Sequence, residues 1–267
     1  MNKQLLLIVS LFFAVAVAAQ ETAFTAAKSV DGEYVDFTVD NLGNYFLLSK
    51  NNQLKKLNAK GDSIAVFNDV RRYGKLHSID VANPLKVLLY YKNFVTILVL
   101  DRFLNIVNSI DLRKQNIFQA KAIAQSYDNN IWVYDEQESK LKKIGEDGKV
   151  LTETVDFRII FDEAPAPTQI FDQDGFVYLY DPEKGIYVFD IYGSFKTKLS
   201  YIGLKDVTVV GKTIIGIEQQ SLIAYTIGTL TEKRLTLPAS LLKYQKAVIK
   251  PGHIYVLQDS VIRHFTF

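Results

Sequence analysis

Short, very apolar runs recur along the chain at nearly even intervals, among them Tyr45-Phe46-Leu47-Leu48, Ile131-Trp132-Val133-Tyr134 and Val177-Tyr178-Leu179-Tyr180. Runs this short, rich in β-branched and aromatic residues and bounded by Gly, Asn, Asp and Pro, read as strands. Helical periodicity is weak, and the best helix candidate, residues 238–244, offers one or two turns. Each apolar run follows a turn such as Asp40-Asn41-Leu42-Gly43 or Asp172-Gln173-Asp174-Gly175, where Gly or Asn tolerates left-handed backbone. A polar tip comes next, such as 135–139 or 181–185. An alternating strand follows, as in Gln53-Leu54-Lys55-Lys56-Leu57, then a Gly turn and a fourth strand such as Ser63-Ile64-Ala65-Val66-Phe67.

This unit repeats. Eleven and fourteen positions after Gly43 stand Leu54 and Leu57; the same steps lead from Pro84 to Val95 and Leu98, and from Asn130 to Leu141 and Ile144. They also lead from Gly175 to Ile186 and Phe189, and from Gly211 to Leu222 and Tyr225. The last copy, from Gly252, is shortened and meets Val261 and His264. The turn residues 43, 84, 130, 175, 211 and 252 are spaced by 41, 46, 45, 36 and 41. Four strands in roughly 40–45 residues is the size of a propeller blade. The sixth copy stops after its third strand, and residues 22–30 are the natural supplier of the fourth. The expected fold is an all-β, six-bladed β-propeller of four-stranded blades, the last closed by the N-terminal strand, which protects the free edges.

The D-x-x-G turn, apolar strand, polar tip and L-x-x-L-x-x-x-G run (Leu54, Leu57, Gly61) resemble the six-bladed propeller superfamily of secreted bacterial proteins, with its NHL-like and TolB-like repeats, over residues 22–267. Blade two, residues 80–108, departs from the pattern by lacking both glycines. The resemblance implies the fold far more than a function.

The first segment carries different information. Lys3, an apolar run from Leu5 to Val17 and the small residues Ala16, Ala18 and Ala19 form the three-part pattern of a secretory signal peptide. The expected organisation is a signal peptide over 1–19 and a single propeller domain over 20–267. The run is short for a bilayer, and no later segment reaches spanning length, since the densest stretch, 87–100, is broken by Lys92 and Asn93. A periplasmic location is expected first and an extracellular one second.

Composition narrows the chemistry. The chain has 267 residues and no cysteine, which removes disulfides, thiolate metal sites and cysteine nucleophiles. With 31 basic and 29 acidic side chains and a net charge of +2, it lacks the concentrated basic surface of a nucleic-acid protein. The short basic clusters Lys55-Lys56 and Lys140, Lys142, Lys143 alternate with apolar residues and read as solvated strand faces. Asp40, Asp128, Asp172 and Asp174 occupy turn positions, where Asp serves local hydrogen bonding. His253, beside Gly252, reads as an exposed turn residue.

Two regions remain for function. Inner strands are expected near 35–39, 76–80, 121–125, 168–172, 206–210 and 246–250, and Asp36, His77 and Asp206 from three of them could face the channel as metal ligands. The connections entering each blade combine positive charge with aromatics: Arg71, Arg72, Tyr73, Arg113, Tyr201 and Tyr244 are the candidate contact residues, since Arg and Tyr favour interface centres. The connection 161–167 is the acidic, proline-stiffened exception. The leading expectation is a non-catalytic, cofactor-free periplasmic scaffold that binds an envelope or outer-membrane protein, as an accessory of a secretion, assembly or uptake complex. The alternatives are a metal-dependent, lactonase-like hydrolase working in the channel and a carbohydrate- or peptide-binding module.

Overall fold

A computed structural model describes residues 24–68 and 70–267, the side chains of Val70 and Arg71 excepted. The expected signal peptide lies outside the described residues. The chain begins with β1 (Thr25–Val30) and then builds blade I from β2 (Tyr34–Val39), β3 (Tyr45–Ser49), β4 (Leu54–Leu57) and β5 (Ser63–Phe67). Blade II comprises β6 (Ser78–Asn83), β7 (Lys86–Tyr91), β8 (Thr96–Asp101) and β9 (Ile106–Asp111). Blade III comprises β10 (Ala120–Gln125), β11 (Ile131–Asp135), β12 (Lys140–Ile144) and β13 (Val150–Glu153). Blade IV comprises β14 (Gln169–Gln173), β15 (Phe176–Asp181), β16 (Gly185–Asp190) and β17 (Phe195–Leu199). Blade V comprises β18 (Lys205–Val210), β19 (Thr213–Glu218), β20 (Ser221–Thr226) and β21 (Thr231–Thr236). In blade VI, β22 (Lys246–Lys250), β23 (His253–Gln258) and β24 (Val261–Thr266) are completed by β1, which pairs antiparallel with β24 from Thr25↔Thr266 to Val30↔Ile262. The protein is a six-bladed β-propeller closed by its N-terminal strand.

The apolar second strands are explained by this geometry. A second strand lies inside its blade and each face packs on a neighbouring blade, so both alternating sets of side chains are buried, as in Tyr45–Leu48 and Ile131–Asp135. Six apolar clusters result, one per seam. The seam of blades I and II holds Phe46, Leu54, Val87 and Leu98, and that of III and IV holds Trp132, Leu141, Val177 and Phe189. Each fully buried side chain of this kind contributes about 1.5–3 kcal/mol, so the core is a ring of seams rather than one central mass. Fourth strands face water on their outer edge and are mostly exposed, as in β5.

Turns follow the sequence. Gly43, at φ 78°, takes the left-handed position. At Gly185 a Cβ would lie 2.2 Å from the Leu199 carbonyl oxygen, so the close pairing of β16 and β17 requires glycine. Blade II manages without: Pro84 and Leu85 make its first turn, and Leu104 takes φ 63° in the second. The expected turn of helix near 238–244 is a 3₁₀ turn, Ala239–Leu241. Single helical turns the periodicity missed, α1 (Val70–Tyr73) and α2 (Phe157–Ile160), lie in inter-blade connections.

The basic clusters contradict the solvated-face expectation. Lys56, Lys142 and Lys143 are buried. Lys142 bonds Asp135 at 2.8 Å and Glu138 at 2.8 Å, while Lys143 bonds Asp128 at 2.6 Å and lies over the Trp132 ring. Burial alone would raise the Asp128 carboxyl, but hydrogen bonds from Lys143, Ser126 and Asn130 bring it down to about 2. Lys56 donates to the Arg102 carbonyl of blade II at 2.9 Å and covers the Phe46 ring. Alternation marks only which side of a blade a residue faces, and both sides are interior. His253 is likewise not a free turn residue: it opens β23, half-buried, with Nδ1 3.0 Å from Nε2 of His264.

Candidate functional site

Two ends of the disc can be defined by the chain path. First-to-second and third-to-fourth strand turns cluster at one, the turn end. Inter-blade connections and second-to-third strand tips cluster at the other, the connection end. The six inner strands surround a channel of about 470 Å³ that runs between them.

Charged groups around the channel are paired, across blades or within one. At the connection end, Asp36 of β2 accepts from Lys246 of β22 at 2.6 Å, and Lys121 of β10 pairs with Glu136 at 2.9 Å. Burial raises the Asp206 carboxyl despite the Ala247 N–H and the nearby Tyr244 hydroxyl and Lys246. Burial, with Lys92 adding to it, lowers the pKa of His77, whose ring meets Tyr90 edge-on. At the turn end, Asp80 accepts from Gln125 N at 2.7 Å and Ala82 N at 2.8 Å, and burial still pushes its carboxyl upward. Lys250 is lowered by burial, against the pull of Asp40 and Asp80.

Asp36, His77 and Asp206 all reach the connection-end mouth, but they are not gathered into a ligand set. Asp36 is engaged by Lys246 and by the Phe37 N–H. Among the described residues no group of three or more His, Asp or Glu side chains has the spacing of a metal site.

The contact candidates divide by burial. Arg72 is exposed and lies over the Tyr73 ring at 5.2 Å. Tyr73 itself is 7% exposed and packs, tilted, against Tyr91 in the seam of blades I and II. The Arg71 side chain lies outside the described residues. Arg113 is half-exposed and forks onto Asp111, with Nε–Oδ1 at 2.8 Å and Nη2–Oδ2 at 2.7 Å. Asp111 also accepts from the Arg113 N–H and so caps the 3₁₀ turn Leu112–Gln115. Tyr201 packs on Tyr225 and donates to Glu232 at 2.6 Å. Tyr244 is half-buried, its hydroxyl facing Asp206 without a hydrogen bond of good geometry; burial and that carboxylate raise its pKa. The tyrosines serve the seams, and Arg72 and Arg113 are the reachable members.

Sequence reasoning passed over Lys75, Lys92 and Phe94, which also stand exposed at this end. The signal was present: Lys92 and Asn93 are the interruption in the apolar stretch 87–100, and they form the tip joining β7 to β8.

No protein-family model matches the chain, and no curated protein matches it. Solved structures do. The virginiamycin B lyase from Staphylococcus aureus is similar at a TM-score of 0.61 and 13% identity, over 92% of this chain and 89% of that one. BamB from Moraxella catarrhalis is similar at 0.50 and 13% identity, over 86% and 82%. The Pan2 WD40 domain of Neurospora crassa is similar at 0.65 and 10% identity, over 91% and 95%. At these identities the likeness is one of fold. No helix among the described residues is long and apolar enough to cross a membrane.

Proposed function

We propose that this chain is an exported, non-catalytic β-propeller that binds a protein of the bacterial envelope through its connection end, as a rigid accessory of an outer-membrane secretion, assembly or uptake complex. In this reading residues 1–19 direct export and are removed, and the domain over 20–267 works in the periplasm. The observation that carries it is the contrast in how charge is used. Channel-mouth groups that could serve chemistry are spent on one another, with Asp36 on Lys246 and Lys121 on Glu136. Arg72 is exposed in the connection entering blade II, at the same end. Arginine backed by an aromatic ring is the kind of group that anchors protein interfaces.

The test follows from the burial of Tyr73, whose replacement would damage a seam. Arg72→Glu combined with Arg113→Glu leaves the thermal midpoint near that of the wild type and abolishes co-purification with a specific envelope protein after in-cell cross-linking. Undiminished recovery by the double variant sinks the reading.

A further inference from the structure

The connection end holds a second cavity, a groove of about 410 Å³ between blades I and II. This lies within the range of about 300–1,000 Å³ usual for ligand pockets. Val35, Leu48 and Leu76 give it apolar walls, Lys75 and Lys92 give it cationic ones, and His77 adds an imidazole able to donate a hydrogen bond. Among the described residues its one lining carboxylate, Asp36, is taken by Lys246. Lys75 and Lys92 are exposed, and neither ammonium group has an ion-pair or hydrogen-bond partner among the described residues. Other surface lysines also lack an ion pair among the described residues, but these two line one groove, with Leu48 and Leu76 beside them.

Both lysines stand on backbone fixed from below. Asn52, at the tip between β3 and β4, donates from Nδ2 to the Gly74 carbonyl at 2.6 Å and accepts from Leu76 N at 3.1 Å, clasping the residues on either side of Lys75. Lys92 opens a 3₁₀ turn closed by the Val95 N–H on the Lys92 carbonyl, with Val95 in the left-handed region. Phe94 of that turn is 44% exposed and borders Gly74. Only the side chains of the two lysines need ordering when a ligand arrives, which limits the entropic cost of association.

We propose that this groove takes an acidic, partly apolar segment of the partner protein, its carboxylates meeting Lys75, Lys92 and His77 and its apolar residues the walls beside Phe94. The proposal rests on the protein-binding reading above and adds the chemistry of what is bound. Charge complementarity carries it: a cationic groove whose one acid among the described residues is already neutralised favours an anionic occupant and repels a basic one.

The probe is a fluorescein-labelled octapeptide of alternating glutamate and leucine, with a glutamine–leucine control, titrated into the purified chain by fluorescence anisotropy. The glutamate peptide binds, the control binds at least tenfold more weakly, and added salt weakens the interaction. Lys75→Glu with Lys92→Glu lowers affinity at least tenfold, whereas Lys198→Glu with Lys233→Glu, on outer strands, leaves it unchanged. Equal affinity for both peptides, or an unaffected Lys75/Lys92 variant, overturns the proposal. So does binding of phosphatidylglycerol vesicles through these lysines without binding of the peptide. If the peptide result fails while envelope co-purification still depends on Arg72 and Arg113, the groove is refuted and the scaffold reading stands.

Discussion

The two ends of this propeller are built from the same repeat and treat their polar groups in opposite ways. At the turn end the repeat closes each turn on itself. Asp40 accepts from Leu42 N at 2.9 Å and Asn44 N at 2.8 Å. Asp101 does the same with Phe103 N at 2.8 Å and Asn105 N at 2.9 Å, and Asp190 with Tyr192 N and Ser194 N, both at 2.9 Å. These side chains are consumed in shaping backbone, and the residues at the turn crests, Leu42, Phe103 and Tyr192, are left as isolated apolar tips. At the connection end Asp135 and Asp181 shape tips in a similar way, yet among the described residues the Lys75 and Lys92 ammonium groups have no ion pair or hydrogen bond, and the Arg72 guanidinium rests only on the Tyr73 ring. Lys60 and Arg102 at the turn end also have no ion pair among the described residues, but at the connection end such cations line a groove, Lys75 and Lys92 between blades I and II. The leftover charge is what a partner can read.

If the turn end is structural, damage there is expected in stability. Asp172 gives the largest effect. Its Oδ2 accepts from Ser126 Oγ at 2.7 Å and Trp132 Nε1 at 2.8 Å, fastening blade IV to blade III. Asp172→Ala strands the buried indole N–H and costs about 2–3 kcal/mol, whereas Asp172→Asn, which keeps an acceptor, costs less. Trp132 is the sole tryptophan, so urea unfolding followed by its emission reads this directly. An Asp172→Ala midpoint equal to that of the wild type would remove the structural half of the contrast.

The closing seam offers a smaller, pH-dependent effect at the same end. His264 stacks on Tyr255 at 4.3 Å and faces His253, and β1 brings Lys28 opposite it. Lys250 stands opposite His253, and Asp40 and Tyr45 approach Tyr255 from blade I. Lys28 is itself tied to the Ala59 and Lys60 carbonyls of blade I. Burial, then His253 and Lys28, lower the His264 pKa below its ordinary 6.5. The folded state therefore binds fewer protons than the unfolded one just below pH 6.5, and stability falls as pH drops through that window towards the folded pKa. His264→Phe, which keeps the stacking ring, is expected to flatten the fall in urea midpoint between pH 7 and 5. An unchanged slope would show that the pair does not report on closure.

The contrast between the ends also marks what was legible in the sequence. The apolar runs and their turn spacing gave six blades and the supply of the last strand by residues 22–30, because each blade is a local object and its pattern is written in neighbouring residues. Partnerships across blades are not local. Lys246 and Asp36 are 210 residues apart, and Lys56 and its Arg102 acceptor are 46 apart. Lys56 therefore resembled a wet strand face, and Asp172 resembled a self-contained turn residue when it fastens two blades; Lys142 and Lys143 pair with Asp135 and Asp128 inside their own blade, and alternation alone did not show that their face is buried. Tyr73 looked like a contact residue because a connection between blades is polar on average, yet the seam beneath it needs an aromatic plug. Lys75 and Lys92 stood out only once the groove between blades I and II brought them together, 17 residues apart in sequence.

The assignment of binding to the connection end is tested most directly by photo-cross-linking in cells, with a photoactivatable residue placed singly at Arg72, Phe94, Leu42 or Tyr192. The account predicts adducts to one envelope protein from positions 72 and 94 and none from 42 and 192. Adducts confined to positions 42 and 192 would contradict it.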